Sequence, residues 1–391
     1  MRTVPPLSRI PLAVSWAYFW YYAAVGAFIP FAALYYRHLG FDGLQVGLLT
    51  ALPSLGMALL GPFVGALADA RSWHRVMLPL ALLASSGVAL AIAQPSTFVA
   101  IFPLVGLLAI TTVPIPPLMD GYALTQAELG RRSYGSMRVW GSLGYMVMTL
   151  AMGRLLGNEL SPLLLYGYAT ALIIAFTGTL RLPSLSERRA QPLIAGLGRV
   201  IREPRFVLLL LVAYMVTSVS ALLGIYLGVH LSDLGASSSL MGLAFSVSAL
   251  SELPFIAGAG WFLRRLGPAR LLALAMFVYA IRFAALSILK DPAWIVTTQL
   301  LHGLSYGCYL TASVTLAHRI VGREQAATAQ SVLAAVSFGL GSITGALVGG
   351  AFLDMLGTNG IFRIGASVML ATLIVYLVAN RSVHLDRTDT A

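Results

Sequence analysis

Cysteine, lysine and charge of either sign are nearly missing from this chain. The one cysteine, Cys308, lies in an apolar run and excludes a disulfide framework. Only 10% of the 391 residues are charged, against about a quarter in a soluble domain, which excludes a chain whose main solvent is water. Lys290 is the sole lysine among 25 basic residues. The arginines fall in short clusters between apolar runs and form no continuous basic face, so the formal charge of +11 does not point to nucleic acid. His302 is the one histidine deep within its apolar run, and no acid, base and nucleophile set or histidine cluster accompanies it. Neither an enzyme, a metal site nor a cofactor is expected.

What the chain does have is apolar length. Hydrophobic residues make up 58% of it and the mean hydropathy is +0.85. Its apolar runs repeatedly reach the ~20 residues that cross a bilayer. The first, 10–36, is too long for the apolar core of a signal peptide and lacks a small-residue cleavage site. The pattern predicts twelve spans, at 10–36, 43–68, 74–94, 97–126, 136–156, 160–181, 205–232, 236–263, 268–289, 292–318, 325–353 and 358–380. The segment 182–204, rich in Pro, Ser and Arg, divides six from six. The expectation is an all-α membrane protein built as two pseudo-symmetric six-helix bundles, 1–181 and 205–391, joined by a linker at 182–204. Such paired halves are the plan of many secondary transporters.

With twelve spans, nineteen arginines fall on the side that holds both termini and the linker, while Arg37, Arg154, Lys290 and Arg363 fall on the other. Cytoplasmic loops carry the basic excess, so both termini are expected in the cytoplasm and the chain in the inner membrane. The turn after span 2 reads Gly65-Ala-Leu-Ala-Asp69-Ala-Arg71-Ser-Trp-His-Arg75, and the turn after span 8 reads Gly260-Trp-Phe-Leu-Arg264-Arg265-Leu-Gly267. Here the chain resembles the major facilitator superfamily, whose loop between helices 2 and 3 runs Gly-x-x-x-Asp-(Arg/Lys)-x-Gly-x-(Arg/Lys)-(Arg/Lys). Ala70 and Ser72 depart from that pattern, and Arg264 replaces the acid in the second copy. The resemblance implies a gating role for Gly65, Asp69, Arg71, Arg75, Gly260, Arg264 and Arg265. An acid near a helix end needs a cationic or helix-N-terminal partner, and such a bond can hold one gating state. Gly61 and Gly65 in span 2, and Gly341, Gly345 and Gly349 in span 11, are spaced for close helix approach.

Ionisable residues deep in the spans are few: Asp120, Arg138, Glu252, Arg282 and His302. At mid-membrane an Asp or Arg costs about 2.5–3.5 kcal/mol or more, so each must be paired or face water. Asp120 is expected to neutralise Arg138, and Glu252 to neutralise Arg282 or engage His302. Arg138, Ser142 and Tyr145 share one helix face, as do Gln299, His302, Tyr306 and Tyr309. Tyr18 and Tyr22 in span 1, Tyr214 and Ser218 in span 7 and Tyr279 in span 9 add aromatic walls with hydrogen-bonding tips, which suit an amphipathic organic solute. Val113-Pro-Ile-Pro-Pro117, just before Asp120, should break regular backbone, tolerated at that depth where it lines a cavity.

Pro116-Pro-Leu-Met-Asp120, Tyr134-Gly-Ser-Met-Arg138-Val-Trp-Gly-Ser-Leu-Gly144, Ser251-Glu252, Arg282 and Gln299-Leu-Leu-His302-Gly together resemble the phenylpropionate-permease family. More distantly they are similar to the oligosaccharide:proton symporters, lactose permease among them. The resemblance implies that Asp120 and Arg138 hold the solute and that Tyr145 stacks on it. It also implies that Glu252 and His302 bridge solute to proton path and that Arg282 tunes the proton site. Ser305 stands where those symporters carry a carboxylate, so the proton would fall to Glu252, Asp120 or His302, or transport would be uncoupled.

Taken together these features predict a monomeric secondary transporter that moves a small organic solute with protons by alternating access, with its site at the midplane between the halves. The solute-binding set is Arg138, Asp120, Tyr145, Glu252, His302, Gln299, Tyr306, Tyr18, Tyr22 and Tyr214, and the proton-coupling set is Glu252, Asp120, His302 and Arg282. A neutral, sugar-like solute and an aromatic carboxylate both fit; proton-antiport efflux and a non-transporting receptor are the alternatives. Orientation is the first testable outcome. A C-terminal reporter active only in the cytoplasm is expected to work, and activity of a periplasm-only reporter at that position would reverse the orientation.

Overall fold

The computed structural model describes residues 10–71, 73–157, 160–183, 197–322, 325–383 and 385. Among them all regular structure is helical. In hydrocarbon a backbone N–H or C=O has no water to pair with, so an apolar run closes its hydrogen bonds within itself. The helices are α1 (Ile10–His38), α2 (Gly43–Arg71), α3 (His74–Ile92), α4 (Phe98–Thr112), α5 (Ile115–Glu128), α6 (Tyr134–Leu155), α7 (Leu163–Thr179) and α8 (Leu197–Val200). There follow α9 (Pro204–Asp233), α10 (Ser238–Ala257), α11 (Ala259–Leu266), α12 (Pro268–Ile288) and α13 (Pro292–Thr298). A 3₁₀ turn at Gln299–Leu301 and a π turn at Gly303–Gly307 lead into α14 (Cys308–Val321). Last come α15 (Ala326–Ala334), a second π turn at Ala335–Gly341 and α16 (Ser342–Val383).

Proline and glycine set the interruptions. Pro114 separates α4 from α5, its ring supplying no N–H to the preceding turn. Pro254 and Gly258 precede the bend between α10 and α11. α16 is too long for one crossing and breaks at Gly357, whose φ of 63° a side chain would resist. Seven described helices are long and apolar enough to cross a membrane, or eight when the bent α10–α11 pair counts as one. Each of the twelve expected spans coincides with helical structure. The lower number has local causes: α7 is short, α6 is diluted by Arg138, glycines and serines, the 292–321 stretch is divided by its 3₁₀ and π turns, and 328–383 counts as one helix across its break.

The chain forms two compact units. One comprises Met1–Phe41, Leu52–Gln191 and Ser237–Ser246; the other comprises Asp42–Ala51, Pro192–Ala236 and Val247–Ala391. In the first, α1 packs along α6 and α7. Gly144 lies against the backbone of Phe19, where an added Cβ would overlap the Phe19 carbonyl oxygen. That approach brings the tyrosines of α1 over the Arg138 turn of α6. In the second unit, α16 packs on α9 and α12, and Gly303 lies against the Ser251 carbonyl at similarly short range. Gly341 and Gly345 touch α9 at Thr217 and Ser218, and Gly349 touches it at Tyr226, so the span-11 glycines pack as expected. Gly61 makes no such approach; the nearest atoms belong to Met57 of its own helix.

Candidate functional site

Each unit holds a cluster built around the embedded charges singled out from the sequence. In the first unit Asp120, on α5 one turn past the proline break, accepts through the same carboxylate oxygen from the hydroxyls of Tyr18 and Tyr134, the latter at 3.0 Å. Arg138, on α6, donates to the Tyr22 hydroxyl at 2.8 Å. Its guanidinium carbon lies 4.1 Å from the Tyr22 ring centroid and 5.6 Å from that of Tyr18. The two rings stack on each other at 6.3 Å, one turn apart on α1.

The direct Asp120–Arg138 ion pair expected from the charge balance is therefore not formed. Tyrosine hydroxyls and ring faces stand between the charges, because the close contact of α1 with α6 at Gly144 brings Tyr18 and Tyr22 into reach of both. A hydroxyl bonded to a carboxylate and a cation over a ring face solvate these charges without joining them. Both Asp120 and Arg138 are half-buried. Tyr145 lies two turns further along the Arg138 face of α6 and is also half-buried.

The second unit's cluster is built around Arg282 of α12, which is 0% exposed. One terminal nitrogen donates to Ser305 Oγ at 2.8 Å and reaches His302 Nδ1 at 3.0 Å; the other donates to Gln299 Oε1 at 2.9 Å. The Tyr279 ring, one turn earlier, lies 5.8 Å away. No acid touches this guanidinium among the described residues, and its Nε has no hydrogen-bond partner. Gln299 is itself held, donating to the Ile295 carbonyl at 3.1 Å and accepting from Ser248 at 3.2 Å. Ser251 anchors the turn by accepting from the Gly303 N–H at 2.9 Å. Three residues per turn in the 3₁₀ stretch bring Gln299 and His302 almost into line, which a regular α-helix would not.

Glu252 completes the chain, its carboxylate 3.0 Å from His302 Nε2. Arginine only donates, so His302 Nδ1 must accept. The remaining proton then sits on Nε2 and is donated to Glu252. The contact is a hydrogen bond from neutral imidazole to carboxylate, and Arg282 dictates the tautomer. The side chains of His302 and Glu252 are 18% and 25% exposed, so both are partly accessible, whereas Arg282 is not. Of the two partners expected for Glu252, the structure joins it to His302, and through it to Arg282.

The other expected residues are placed as follows. Tyr306 stacks on His302 at 5.5 Å and 4°. Tyr309 is buried with its hydroxyl on Ser337 at 3.1 Å. Tyr214 pairs with Thr344 at 3.0 Å and joins neither cluster. Gln299 is fully buried against Arg282 instead of lining an open face. Tyr134, one turn before Arg138, was not foreseen as an Asp120 partner. Arg75 is exposed, as are Gly260, Arg264 and Arg265; the last two close the final turn of α11, where cations suit the helix dipole. Gly65, Asp69 and Arg71 fall outside the residues whose side chains are described.

Helices of membrane length that enclose charged clusters make this a multi-pass membrane transporter of the major facilitator fold. The crystal structure of nucleoside transporter NupG matches it with a TM-score of 0.84 over 94% of this chain and 98% of that one, at 19% identity, a likeness of fold alone. The chain belongs to the MFS_1 like family, whose model matches residues 12–364. It is 29% identical to maltose permease of Geobacillus stearothermophilus over 377 residues, 93% of each chain. It is 26% identical to the probable 3-phenylpropionic acid transporter of Escherichia coli, over 92% of this chain and 95% of that one. The family and these relatives are transporters and not enzymes.

Removing an acceptor tests whether Arg282 depends on its neutral partners. Leaving a buried charged donor unsatisfied costs about 1–3 kcal/mol or more, so Gln299→Leu is expected to lower the melting temperature in detergent. Gln299→Glu puts a carboxylate at the same place and is expected to retain it. Equal melting of Gln299→Leu and the unaltered protein would mean that Gln299 does not stabilise Arg282.

Proposed function

We propose that this protein is a proton-coupled symporter of a small organic solute, residing in the inner membrane with both termini in the cytoplasm and working by alternating access. The observation that carries the reading is the Arg282–His302–Glu252 relay, a buried cation whose nearest acid lies one imidazole away. When Glu252 is ionised, its charge compensates Arg282 through the ring. When Glu252 takes a proton, that compensation is lost and Arg282 favours a rearrangement that brings other oxygen atoms near it. A proton is thus linked to conformation, which is what coupling requires.

Asp120, Arg138, Tyr18, Tyr22 and Tyr145 form the solute-holding set. Arg138 uses one of its five N–H donors on Tyr22, and the Tyr18–Tyr22 stack supplies an aromatic wall. Such a set suits a solute with an apolar ring or ring-like face and oxygen acceptors. Relatives named for maltose and for 3-phenylpropionic acid both fit that description. One charge crossing roughly 150 mV releases about 3.5 kcal/mol, enough to concentrate a solute a few hundred-fold.

Two outcomes test the assignment. Arg138→Ala is expected to abolish solute binding, because it removes the guanidinium donors over the tyrosine wall, and Asp120→Asn to weaken it about tenfold, because it removes the charged acceptor that Tyr18 and Tyr134 hold; near-normal binding by both would make this cluster structural. In proteoliposomes, Glu252→Gln is expected to keep solute exchange and lose accumulation driven by an imposed proton gradient. Accumulation at the unaltered level would remove Glu252 as the carrier and shift the role to Asp120 or His302.

A further inference from the structure

Outside both clusters, the start of α1 and the end of α7 enclose a cavity of about 490 Å³ lined by Leu12, Ala13, Trp16, Thr177, Gly178 and Arg181. Pockets that hold small ligands run from roughly 300 to 1,000 Å³. Its floor is built by an absence of side chain: a Cβ on Gly178 would approach the Trp16 ring to 2.7 Å, so a larger residue there would push the indole away. The indole is fixed by two bonds across the groove, from its Nε1 to the Ile174 carbonyl at 3.1 Å and to Thr177 Oγ1 at 3.3 Å. Trp16 is nonetheless 45% exposed and Leu12 is 56% exposed, so the groove opens sideways from an apolar wall. Arg181 stands at its rim, exposed, just past the last turn of α7, and among the described residues its guanidinium makes no ion pair or hydrogen bond.

This combination fits one chemistry. The groove lies at a helix end, where a membrane interface falls: α7 ends two residues before Arg181. Tryptophan is enriched at that depth, with its ring in the headgroup region. A soluble anion would be drawn to Arg181 but would gain nothing from Leu12 and the exposed indole face. A neutral lipid would cover the apolar wall and leave the cation without a partner. An anionic phospholipid satisfies both at once, its phosphate on the guanidinium and an acyl chain along Leu12 and Trp16. Basic pockets between membrane helices are recurrent sites for such headgroups, and a guanidinium takes a phosphate in bidentate fashion. We propose that the groove between α1 and α7 is a binding site for one anionic phospholipid, held by Arg181 and Trp16. The proposal does not depend on the transported solute or on proton coupling.

The test uses the full chain in a neutral detergent, titrated with short-chain phosphatidylglycerol, with phosphatidylcholine of the same chains, or with inorganic phosphate. Binding is read as the rise in melting temperature, which follows ligand affinity by linkage. Phosphatidylglycerol is expected to raise it and the other two to have little effect. Arg181→Gln is expected to weaken the phosphatidylglycerol response about fivefold or more, the equivalent of about 1 kcal/mol for a cation at an anionic surface; Arg181→Lys should keep part of it. Arg319→Gln, an exposed arginine on another helix, should respond as the unaltered protein does. Leu12→Trp fills the groove from its open side while leaving Arg181 in place, and is expected to lose the response too. An equal response to phosphatidylcholine would make this a general lipid contact, and an equal response to inorganic phosphate would make it a simple anion site. Either result, or an undiminished response in both Arg181→Gln and Leu12→Trp, overturns the proposal.

Discussion

A guanidinium that never meets water has to be solvated by protein, and the second unit is arranged around doing this for Arg282. Three neutral acceptors meet its terminal nitrogens, two of them from the distorted turn that begins at Gln299 and one from the imidazole between them. The distortions follow from that demand. A regular helix would point Gln299 and Ser305 some 120° apart at 100° per residue. The 3₁₀ and π turns change this register, and the glycines at 303 and 307 let the widened turn lie against α10. Wide turns of this kind recur at functional sites because they re-aim side chains at the expense of regular bonding. Fixing Arg282 also fixes the proton on His302, and so the hydrogen bond that reaches Glu252. One buried charge thereby sets the geometry of three neighbouring groups.

The first unit solves the same problem with different chemistry. Asp120 and Arg138 stay in the partly accessible part of their unit, and tyrosines satisfy them separately. A direct ion pair in low dielectric would be hard to open once formed, because breaking it leaves two unpaired charges. A hydroxyl and a ring face are weaker and more easily exchanged partners. On the proposed reading, this keeps both charges available to a solute that must arrive and leave, while the fully enclosed Arg282 is kept from direct exchange.

Much of this was legible in the sequence, and the boundary between what was and was not has a physical origin. Apolar runs interrupted by arginine clusters reveal spans because hydrocarbon forces backbone bonding inward over a known length. The five embedded ionisable residues were equally visible, since nothing else in an apolar run has their hydration energy. Partner choice was not visible. It depends on how α1 is rotated against α5 and α6, which Gly144 and Phe19 settle in three dimensions, and a one-turn change would have put different tyrosines over Arg138. Ser305 was noticed only as a missing carboxylate; its role as an acceptor for Arg282 needed the π turn, for which Gly303 and Gly307 give at most a hint. The glycine stripe at 341, 345 and 349 was read correctly because small residues at that spacing face a partner, yet Gly61 has the same spacing and packs against nothing close. Spacing states where a helix can approach another and not whether a neighbour is there.

On the proposed reading, a serine at 305, where the resemblance to the oligosaccharide:proton symporters leads one to expect a carboxylate, has a consequence for where a proton can act. With an acid in contact, Arg282 would be compensated locally and the charge state of Glu252 would matter little to it. With a hydroxyl there, the nearest compensating charge is Glu252 itself, conveyed by an imidazole whose two nitrogens are both engaged. His302 cannot take a second proton on Nδ1 while Arg282 donates to it, since two donors would face each other at hydrogen-bond distance. On the proposed reading, the proton is therefore taken at Glu252 and reaches His302 only if Arg282 first withdraws. On the proposed reading, loss of the carboxylate relocates the coupling site and does not abolish it: the serine makes the buried arginine depend on the one acid in the cluster that is open to water.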